Sequence, residues 1–269
     1  GACEDKSAPT LEKIHNKYYL RFSFTETVTL NDTPIAEQII CAVDLGINTD
    51  AVCSIMKADG TILARKFIDF TSDKDRMIHA MNRTRRKQSK YGPKSTRGLW
   101  AYVKRLNEDR AKKISAAIVE FASQHSVDAI VMEHLDFKGC KKRGSKAQRL
   151  SMWNHGIIRE KVEQKAHLLG IRIATICAWK TSALAFDGSG SVTRDDNNHA
   201  LATFTTGKQY NCDLSASYNI GARYFIRELL KSLPATEESR VKAKVPDAGR
   251  RTSCTLSTLR ALVKELSAA

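Results

Sequence analysis

The sequence predicts an α/β fold in which a mixed five-stranded sheet is flanked by helices. Short apolar runs rich in β-branched residues follow one another closely in residues 38–68, and single runs of the same kind recur at 127–132 and 171–177. Longer segments with apolar residues at helical spacing separate these runs. A chain of 269 residues, 42% of them hydrophobic, is long enough to bury the core that such a sheet needs.

The first candidate strand covers residues 18–30, where apolar and polar residues alternate and aromatic and β-branched residues are frequent. The polar segment from Asn31 to Pro34 ends it. Because the first ten residues offer this strand no obvious partner, we expect residues 1–37 to be the tail and last strand of a preceding domain.

Three antiparallel strands are predicted next, at residues 38–45, 51–57 and 61–68, with a short hairpin turn ending at Gly60. The first of them ends in a carboxylate, Asp44, just before Gly46. A carboxylate at the end of an apolar strand needs hydrogen bonds or a cation, which makes Asp44 a site candidate. The alternative is that Asp44 accepts backbone N–H bonds in the turn.

Residues 72–113 form the main basic segment, with 14 Lys or Arg against four Asp or Glu. We predict nucleic-acid contacts here, and the alternative is an ordinary solvated helix face. Within the segment Gly92 and Pro93 interrupt the chain, and apolar spacing predicts a long amphipathic helix at 95–125. The residues predicted to contact nucleic acid are Arg83, Arg85, Arg86 and Lys87.

The buried strand at residues 127–132 runs directly into a second carboxylate, Glu133. Residues 138–149 then contain six basic residues and no acid, which is typical of a loop that becomes ordered on a phosphate backbone; a passive linker is the alternative. An amphipathic helix at 156–169 and a fifth core strand at 171–177 follow. The loop residues predicted to contact nucleic acid are Lys141, Lys142 and Arg143.

The last third of the chain begins with residues 179–210, which are rich in Gly, Ser, Thr and Asn and predict an irregular insertion at one end of the sheet. A helical pattern opens at Asp213 and stops at Pro234; the alternative role of Asp213 is a helix N-cap. We expect residues 234–269 to be a polar linker followed by a small terminal helix.

The element order, three antiparallel strands followed by helix, strand, helix, strand and helix, is the connectivity of the ribonuclease H-like fold. In that order the strands ending at Asp44 and Glu133 lie side by side, and the last helix can bring Asp213 to the same edge. Three carboxylates at one place require a cation, and oxygen ligands suit two Mg²⁺ or Mn²⁺ ions. The predicted chemistry is therefore metal-dependent phosphodiester hydrolysis.

Three stretches also carry a resemblance to a known family: CAVDLGINTDAVCSI, IVMEHLDFKG and YNCDLSASYNIGARYF. They resemble the three successive motifs of the RuvC nuclease domain in TnpB transposon proteins and type V CRISPR effectors, over about residues 38–231. The resemblance implies a catalytic, metal-binding triad of Asp44, Glu133 and Asp213. It makes Asn219 a packing or orienting residue of the third motif.

The same resemblance implies RNA-guided DNA cleavage, with a guide RNA held by N-terminal wedge and recognition domains that this chain lacks, apart from the strand at residues 18–30. The domain boundaries that follow are a wedge-like tail at 1–37, a nuclease core at 38–178, an insertion at 179–210, the third-motif helix at 211–233 and the terminal segment at 234–269. We expect a protein of a bacterial or archaeal cytoplasm, associated with the nucleoid and not with a membrane. The seven scattered cysteines, which read as reduced thiols, agree with a reducing compartment.

Two departures from the family pattern stand out. Where many relatives carry a four-cysteine zinc ribbon, residues 179–210 contain no C-x-x-C, so we predict no structural zinc. The arginine that usually precedes the third aspartate is replaced by Asn211 and Cys212.

The sequence thus predicts a Mg²⁺-dependent DNA endonuclease domain that uses two metal ions. The alternative is a guided nucleic-acid-binding module without cleavage activity of its own. A strand-joining transposase is a third reading, which the third-position aspartate disfavours because such enzymes usually carry a final Glu.

Overall fold

The computed structural model describes residues 4–6, 8–14, 16–134, 153–195, 198, 200–250 and 252–268. The strands in chain order are β1 (Glu4–Lys6), β2 (Thr10–Ile14), β3 (Lys17–Arg21), β4 (Phe24–Thr25), β5 (Ile39–Asp44), β6 (Ala51–Lys57), β7 (Ile62–Ile68), β8 (Ala129–His134), β9 (Arg172–Cys177), β10 (Thr193–Arg194), β11 (Leu201–Thr203) and β12 (Gln209–Asn211). The α-helices are α1 (Thr71–Tyr91), α2 (Arg97–Gln124), α3 (His155–His167), α4 (Cys212–Ser232), α5 (Ala235–Lys244) and α6 (Leu256–Ser267).

The central sheet has five strands in the order β7-β6-β5-β8-β9. Strands β5, β6 and β7 are antiparallel neighbours, whereas β8 runs parallel to both β5 and β9. Helices α4 and α6 cover one face, and α2 and α3 cover the other. The predicted mixed sheet flanked by helices is therefore confirmed.

The two faces of β5 explain its uninterrupted apolar sequence. Ile40 and Ala42 belong to the core under α4, while Cys41 and Val43 belong to the core under α2, and all four are fully buried. A central strand covered by helices on both sides has no solvent-facing positions, so it needs no polar residues until its end. The cysteines in these cores are free thiols in the described part of the chain, as expected.

A buried ion pair joins the β5–β6 turn to the helical hairpin formed by α1 and α2. The Asp50 carboxylate accepts a hydrogen bond from Arg110 on α2 and another, of 2.9 Å, from the backbone N–H of Phe70, the residue before α1. Both side chains are almost completely buried, and a buried carboxylate that is paired and hydrogen-bonded in this way fixes the elements it connects. No pattern in the sequence predicted this pair.

The N-terminal region differs from the prediction. Instead of one strand at residues 18–30 there are two short ones: β3 pairs with β2 through a turn at Asn16, which has φ 65°, and β4 pairs with β1. The expectation that the first ten residues offer no partner is wrong, because β1 lies among them and pairs with β4. A strand as short and polar as Glu4–Lys6 has no apolar alternation by which it could be predicted.

The segment after α4 also differs, since α5 and a 3₁₀ turn at Pro246–Gly249 occupy most of the predicted polar linker. Glu237 and Glu238 lie in the first turn of α5, and Lys242 and Lys244 lie in its last turn. Charges in these positions stabilise a helix by their interaction with its dipole. Only Val241 is buried among the residues of α5, so the apolar spacing that reveals a helix is missing. Within the described ranges, none of the helices combines the length and apolar character needed to cross a membrane.

Candidate active site

Two of the predicted carboxylates are placed side by side by the parallel pairing of β5 and β8. The register joins Val43 to Met132, so the next residue of each strand, Asp44 and Glu133, stands at the same carboxyl edge of the sheet. Open α/β sheets bind their ligands at this edge. The turn after Asp44 is tight, because a Cβ on Gly46 would lie 2.5 Å from the carbonyl oxygen of Thr49.

The third carboxylate comes from the first turn of α4. The N-cap is Asn211, whose side-chain oxygen accepts a 2.9 Å hydrogen bond from the N–H of Leu214. The alternative that Asp213 caps the helix is therefore wrong, and the Asp213 carboxylate is not used for capping. It accepts a hydrogen bond of 3.3 Å from the thiol of Cys212.

All three carboxylates line one cavity of about 420 Å³ at the edge of the sheet. Each of them is half-buried. The rest of the lining comes from the β5–β6 turn, the segment after β9, strand β10 and the region before α3, and includes Asn48, Trp153, Thr181, Ser182 and Arg194. The structure thus brings together residues that are far apart in the sequence.

The electrostatics of the cavity oppose ionisation of Asp44 and of Glu133. Burial raises the pKa of Asp44 well above its usual range, and the neighbouring charges of Glu133 and Asp213 raise it further. Burial also raises the pKa of Glu133, against the hydrogen bond from Thr181 and the charge of Arg223, which lower it. A cation in the cavity would lower the pKa of both carboxyl groups.

The residues present fit a hard divalent cation by the chemistry of their donors, since carboxylate oxygens are the ligands that Mg²⁺ and Mn²⁺ prefer. Among the described residues, no three His, Cys, Asp or Glu side chains already stand close enough together to enclose an ion. An ion bound in this cavity would be held by Asp44, Glu133 and Asp213.

Arg194 is one of the residues of this cavity that the sequence patterns did not predict. It belongs to β10, and its positive charge lowers the pKa of Asp44. No described carboxylate lies within ion-pair distance of its guanidinium group, and its side chain is exposed. The polar segment around it has no periodicity that could have predicted its position.

The insertion that contains Arg194 is more regular than predicted. Strands β10, β11 and β12 form a small antiparallel sheet. Phe186 packs edge-to-face against Phe204, Tyr210 and Tyr218, with ring centroids 5.5, 4.9 and 5.3 Å apart. This aromatic cluster connects the insertion to α4, and the expected absence of structural zinc stays a prediction.

The predicted nucleic-acid contacts lie partly on α1. Arg83, Arg86 and Lys87 are exposed and Arg85 is half-buried. Arg83 and Arg86 share a groove with Arg76, His79 and Tyr102. In the described part of the chain no acidic side chain pairs with any of the four predicted residues, so their charges are available to a polyanion. Lys141, Lys142 and Arg143 lie outside the described residues.

The strand order of the central sheet is that of a ribonuclease H-like fold, and comparison with solved structures agrees. The chain matches Cas12f1 in a cryo-EM structure with sgRNA and target DNA at a TM-score of 0.52 and 17% identity, over 78% of this chain and 54% of that one. It matches AacC2c1 in a crystal structure with sgRNA at a TM-score of 0.51 and 10% identity, over 70% of this chain and 39% of that one.

The predicted resemblance to the RuvC domain of type V effectors is therefore confirmed at the level of the fold. The chain spans about half, or less, of the length of the two solved structures. No family profile matches the sequence, and the search of curated proteins gave no match.

Proposed function

We propose that this chain is a divalent-metal-dependent endonuclease domain that hydrolyses phosphodiester bonds of DNA. The observation that carries the proposal is the convergence of Asp44, Glu133 and Asp213 on one cavity, where burial and mutual repulsion raise the pKa of Asp44. Carboxylates held in this way fit the binding of metal ions better than a purely structural role.

Asp44, Glu133 and Asp213 would hold the metal. Two bound ions would activate a water molecule and stabilise the leaving oxygen of an in-line attack on phosphorus. Because burial raises the pKa of Asp44 and of Glu133, a bound cation would stabilise their ionised forms.

The cationic residues of the chain would bind the substrate. Arg194 lies in the cavity, and among the described residues no carboxylate is within ion-pair distance of it. Its guanidinium group would donate hydrogen bonds to a phosphate oxygen of the substrate. Farther away, Arg83, Arg86 and Lys87 of α1 would hold the nucleic-acid backbone without reading its sequence.

We also propose that the domain acts in a longer RNA-guided protein. Both matched structures contain an sgRNA, and one of them also contains target DNA. Since this chain corresponds to about half or less of those proteins, other domains would hold the guide RNA.

A second candidate function is nucleic-acid binding without cleavage. The observation that favours it is that no three carboxylate, imidazole or thiol side chains of the described residues are grouped as ligands of a metal ion. This candidate predicts DNA binding that is indifferent to divalent metal.

The test is cleavage of labelled single-stranded and duplex DNA in Mg²⁺ or Mn²⁺ by the wild type and by Glu133→Ala. We expect metal-dependent cutting by the wild type and a loss of at least a hundredfold in the variant. The control is Glu163→Ala, which removes an exposed carboxylate from α3 and should cut like the wild type. DNA binding without cutting would support the second candidate, and undiminished cutting by Glu133→Ala would contradict the assignment of the site.

A further inference from the structure

Glu133 has a hydrogen-bond partner of its own inside the candidate active site. The hydroxyl of Thr181 donates to Glu133 Oε1, and it also lies 3.0 Å from the carbonyl oxygen of Ala178. Thr181 is 3% exposed, so its side chain has little freedom to turn away. This hydrogen bond restricts rotation of the Glu133 carboxylate, because one of its two oxygens must stay beside the Thr181 hydroxyl.

Thr181 belongs to the segment after β9, which has no regular structure of its own, so something else must fix its position. The side-chain amide of Asn219 on α4 does this. Its nitrogen donates to the carbonyl oxygens of Thr181, at 3.0 Å, and Leu184, at 2.9 Å. Its oxygen accepts from the backbone N–H of Leu256, at 3.3 Å. Asn219 is completely buried, and both of its N–H groups are used.

The same segment is held at its beginning by Arg223, one helical turn further along α4. The guanidinium group donates to the carbonyl oxygens of Cys177, at 2.9 Å, and Trp179, at 2.8 Å. It also donates to Thr252, at 3.0 Å, and Cys254, at 3.2 Å, just before α6. Residues 177–184 are thus fixed from α4 at both ends, and the start of α6 is joined to the same two side chains.

We propose that Thr181 is a positioning residue that orients the Glu133 carboxylate towards Asp44 and Asp213, and that Asn219 sets the position of Thr181. The proposal rests on the proposed function, because the orientation matters for binding a metal ion and substrate. It gives the C-terminal helix α6 a part in the site, since the N–H of Leu256 completes the hydrogen bonding of Asn219.

The expected size of the effect follows from the behaviour of groups that hold metal ligands in place. Removing such a hydrogen-bond partner typically lowers metal affinity or activity by about 10- to 100-fold. The hydroxyl, and not the methyl group, carries the effect here. Serine should therefore replace threonine with little loss, whereas valine, which has nearly the same shape, should not.

The experiment compares Thr181→Val, Thr181→Ser and a matched control, Thr175→Val. Thr175 lies on β9, and its hydroxyl has no hydrogen bond among the described residues, so the control makes the same chemical change outside the cavity. The readouts are kcat and KM for DNA cleavage, Mn²⁺ affinity by titration calorimetry, and the thermal unfolding midpoint. Crystal structures of the metal-free wild type and Thr181→Val show the orientation of Glu133 directly.

We expect Thr181→Val to lose about 10- to 100-fold in kcat and in Mn²⁺ affinity with little change in KM, and Thr181→Ser to stay within about threefold of the wild type. In the crystal, Glu133 should change rotamer in Thr181→Val. Equal behaviour of Thr181→Val and Thr175→Val, equal damage in valine and serine variants, or an unmoved Glu133 would overturn the inference. A wild type that neither binds Mn²⁺ nor cuts DNA would instead contradict the proposed function, and the crystal structures would still decide whether Thr181 orients Glu133.

Discussion

Asp44 and Glu133 lie in positions that lower the stability of the folded chain when both carboxyl groups are ionised. The pKa of each is raised, mainly by burial, so at neutral pH their ionised forms are less favourable in the folded chain than in the unfolded one. A group whose folded pKa is raised contributes stability below its unfolded pKa and loses it as the pH rises through the folded value. The contribution of these two carboxyl groups to the stability of the metal-free protein should therefore fall as the pH rises from about 4.

This leads to a prediction for Asp44→Asn. The amide cannot ionise, so in EDTA at pH 7 the variant should be more stable than the wild type, with a flatter dependence of stability on pH. Added Mg²⁺ should stabilise only the wild type, because it binds the folded state through the intact carboxylates. The measurement is urea unfolding between pH 4 and pH 8.

The control for that experiment is Asp75→Asn, which changes an exposed carboxylate on α1 and should follow the wild type. If Asp44→Asn were less stable than the wild type at pH 7 in EDTA, Asp44 would be a structural residue of the turn.

Two of the three carboxylates could be predicted from the ends of apolar strands, and Asp213 from the order of the elements. Asp44 and Glu133 each end an apolar strand, and a charge in that position is visible in the sequence. Arg194 and Thr181 lie in polar segments without periodicity, and only the folding of the insertion and the hydrogen bonds of Asn219 bring them to the cavity. Their roles could not have been predicted from local patterns.

Among the elements, α4 is the one that connects the core to the site. It packs across β5 so closely that a Cβ on Gly221 would lie 2.9 Å from Cε of Met56 and 3.2 Å from Cβ of Ala42. The distance between α4 and β5 decides how near Asp213 comes to Asp44. Glycine at this position therefore serves close packing, although the residue weakens helices in general.

We predict that Gly221→Ala destabilises the protein by about 1–3 kcal/mol, the usual cost of overpacking a core. Cleavage should fall as well, because the helix must shift away from β5. The matched control is Gly98→Ala in the first turn of α2, where a Cβ meets nothing within 4 Å. That variant should be unchanged or gain up to about 1 kcal/mol, since alanine favours helix. Urea unfolding measures both, and a Gly221→Ala variant as stable as Gly98→Ala would contradict the packing argument.

Helix α4 also protects the open edge of the sheet. The backbone N–H of Arg172 donates to the backbone carbonyl oxygen of Asp128, on the side of β8. Successive residues of a strand point their backbone groups to opposite sides, so the carbonyl groups of Thr175 and Cys177 point away from β8, to the open edge. Arg227 donates to Thr175, at 2.7 Å, and Arg223 to Cys177, at 2.9 Å. The two arginine side chains cover these edge carbonyls and so hinder pairing with a strand from another molecule; covering an edge is a common way of protecting it.

The elements predicted best were those with strong apolar patterns. Strands β5, β6, β8 and β9 and helices α2 and α4 were predicted within a few residues. Helix α5 and strands β2 and β10 bury few side chains, so they carry no apolar pattern from which they could be predicted.

At the scale of the molecule, the excess of positive charge is the property most relevant to a partner. The formal net charge is +15, and exposed Arg83, Arg86 and Lys87 have no acidic partner in the described part of the chain. A polyanion would release counterions when it binds such a surface, which makes affinity depend strongly on salt.

We therefore predict that Arg83→Ala combined with Arg86→Ala weakens DNA binding about equally for unrelated sequences. The slope of log affinity against log salt should fall by up to about two, or about one for each lost phosphate contact. The control is Arg240→Ala combined with Lys264→Ala, which removes the same charge from α5 and α6. Fluorescence anisotropy over a salt series measures both, and equal slopes in the two double variants would place the binding surface elsewhere.

The proposed function requires Asp44, Glu133 and Asp213 to form one divalent-metal site. Anomalous diffraction from crystals of the wild type and of Asp213→Ala, both soaked in Mn²⁺, locates the ion. We expect anomalous density between the three carboxylates in the wild type, and weakened or absent density in the variant. Wild-type crystals with no density in this cavity, or with the same density after the loss of Asp213, would contradict it.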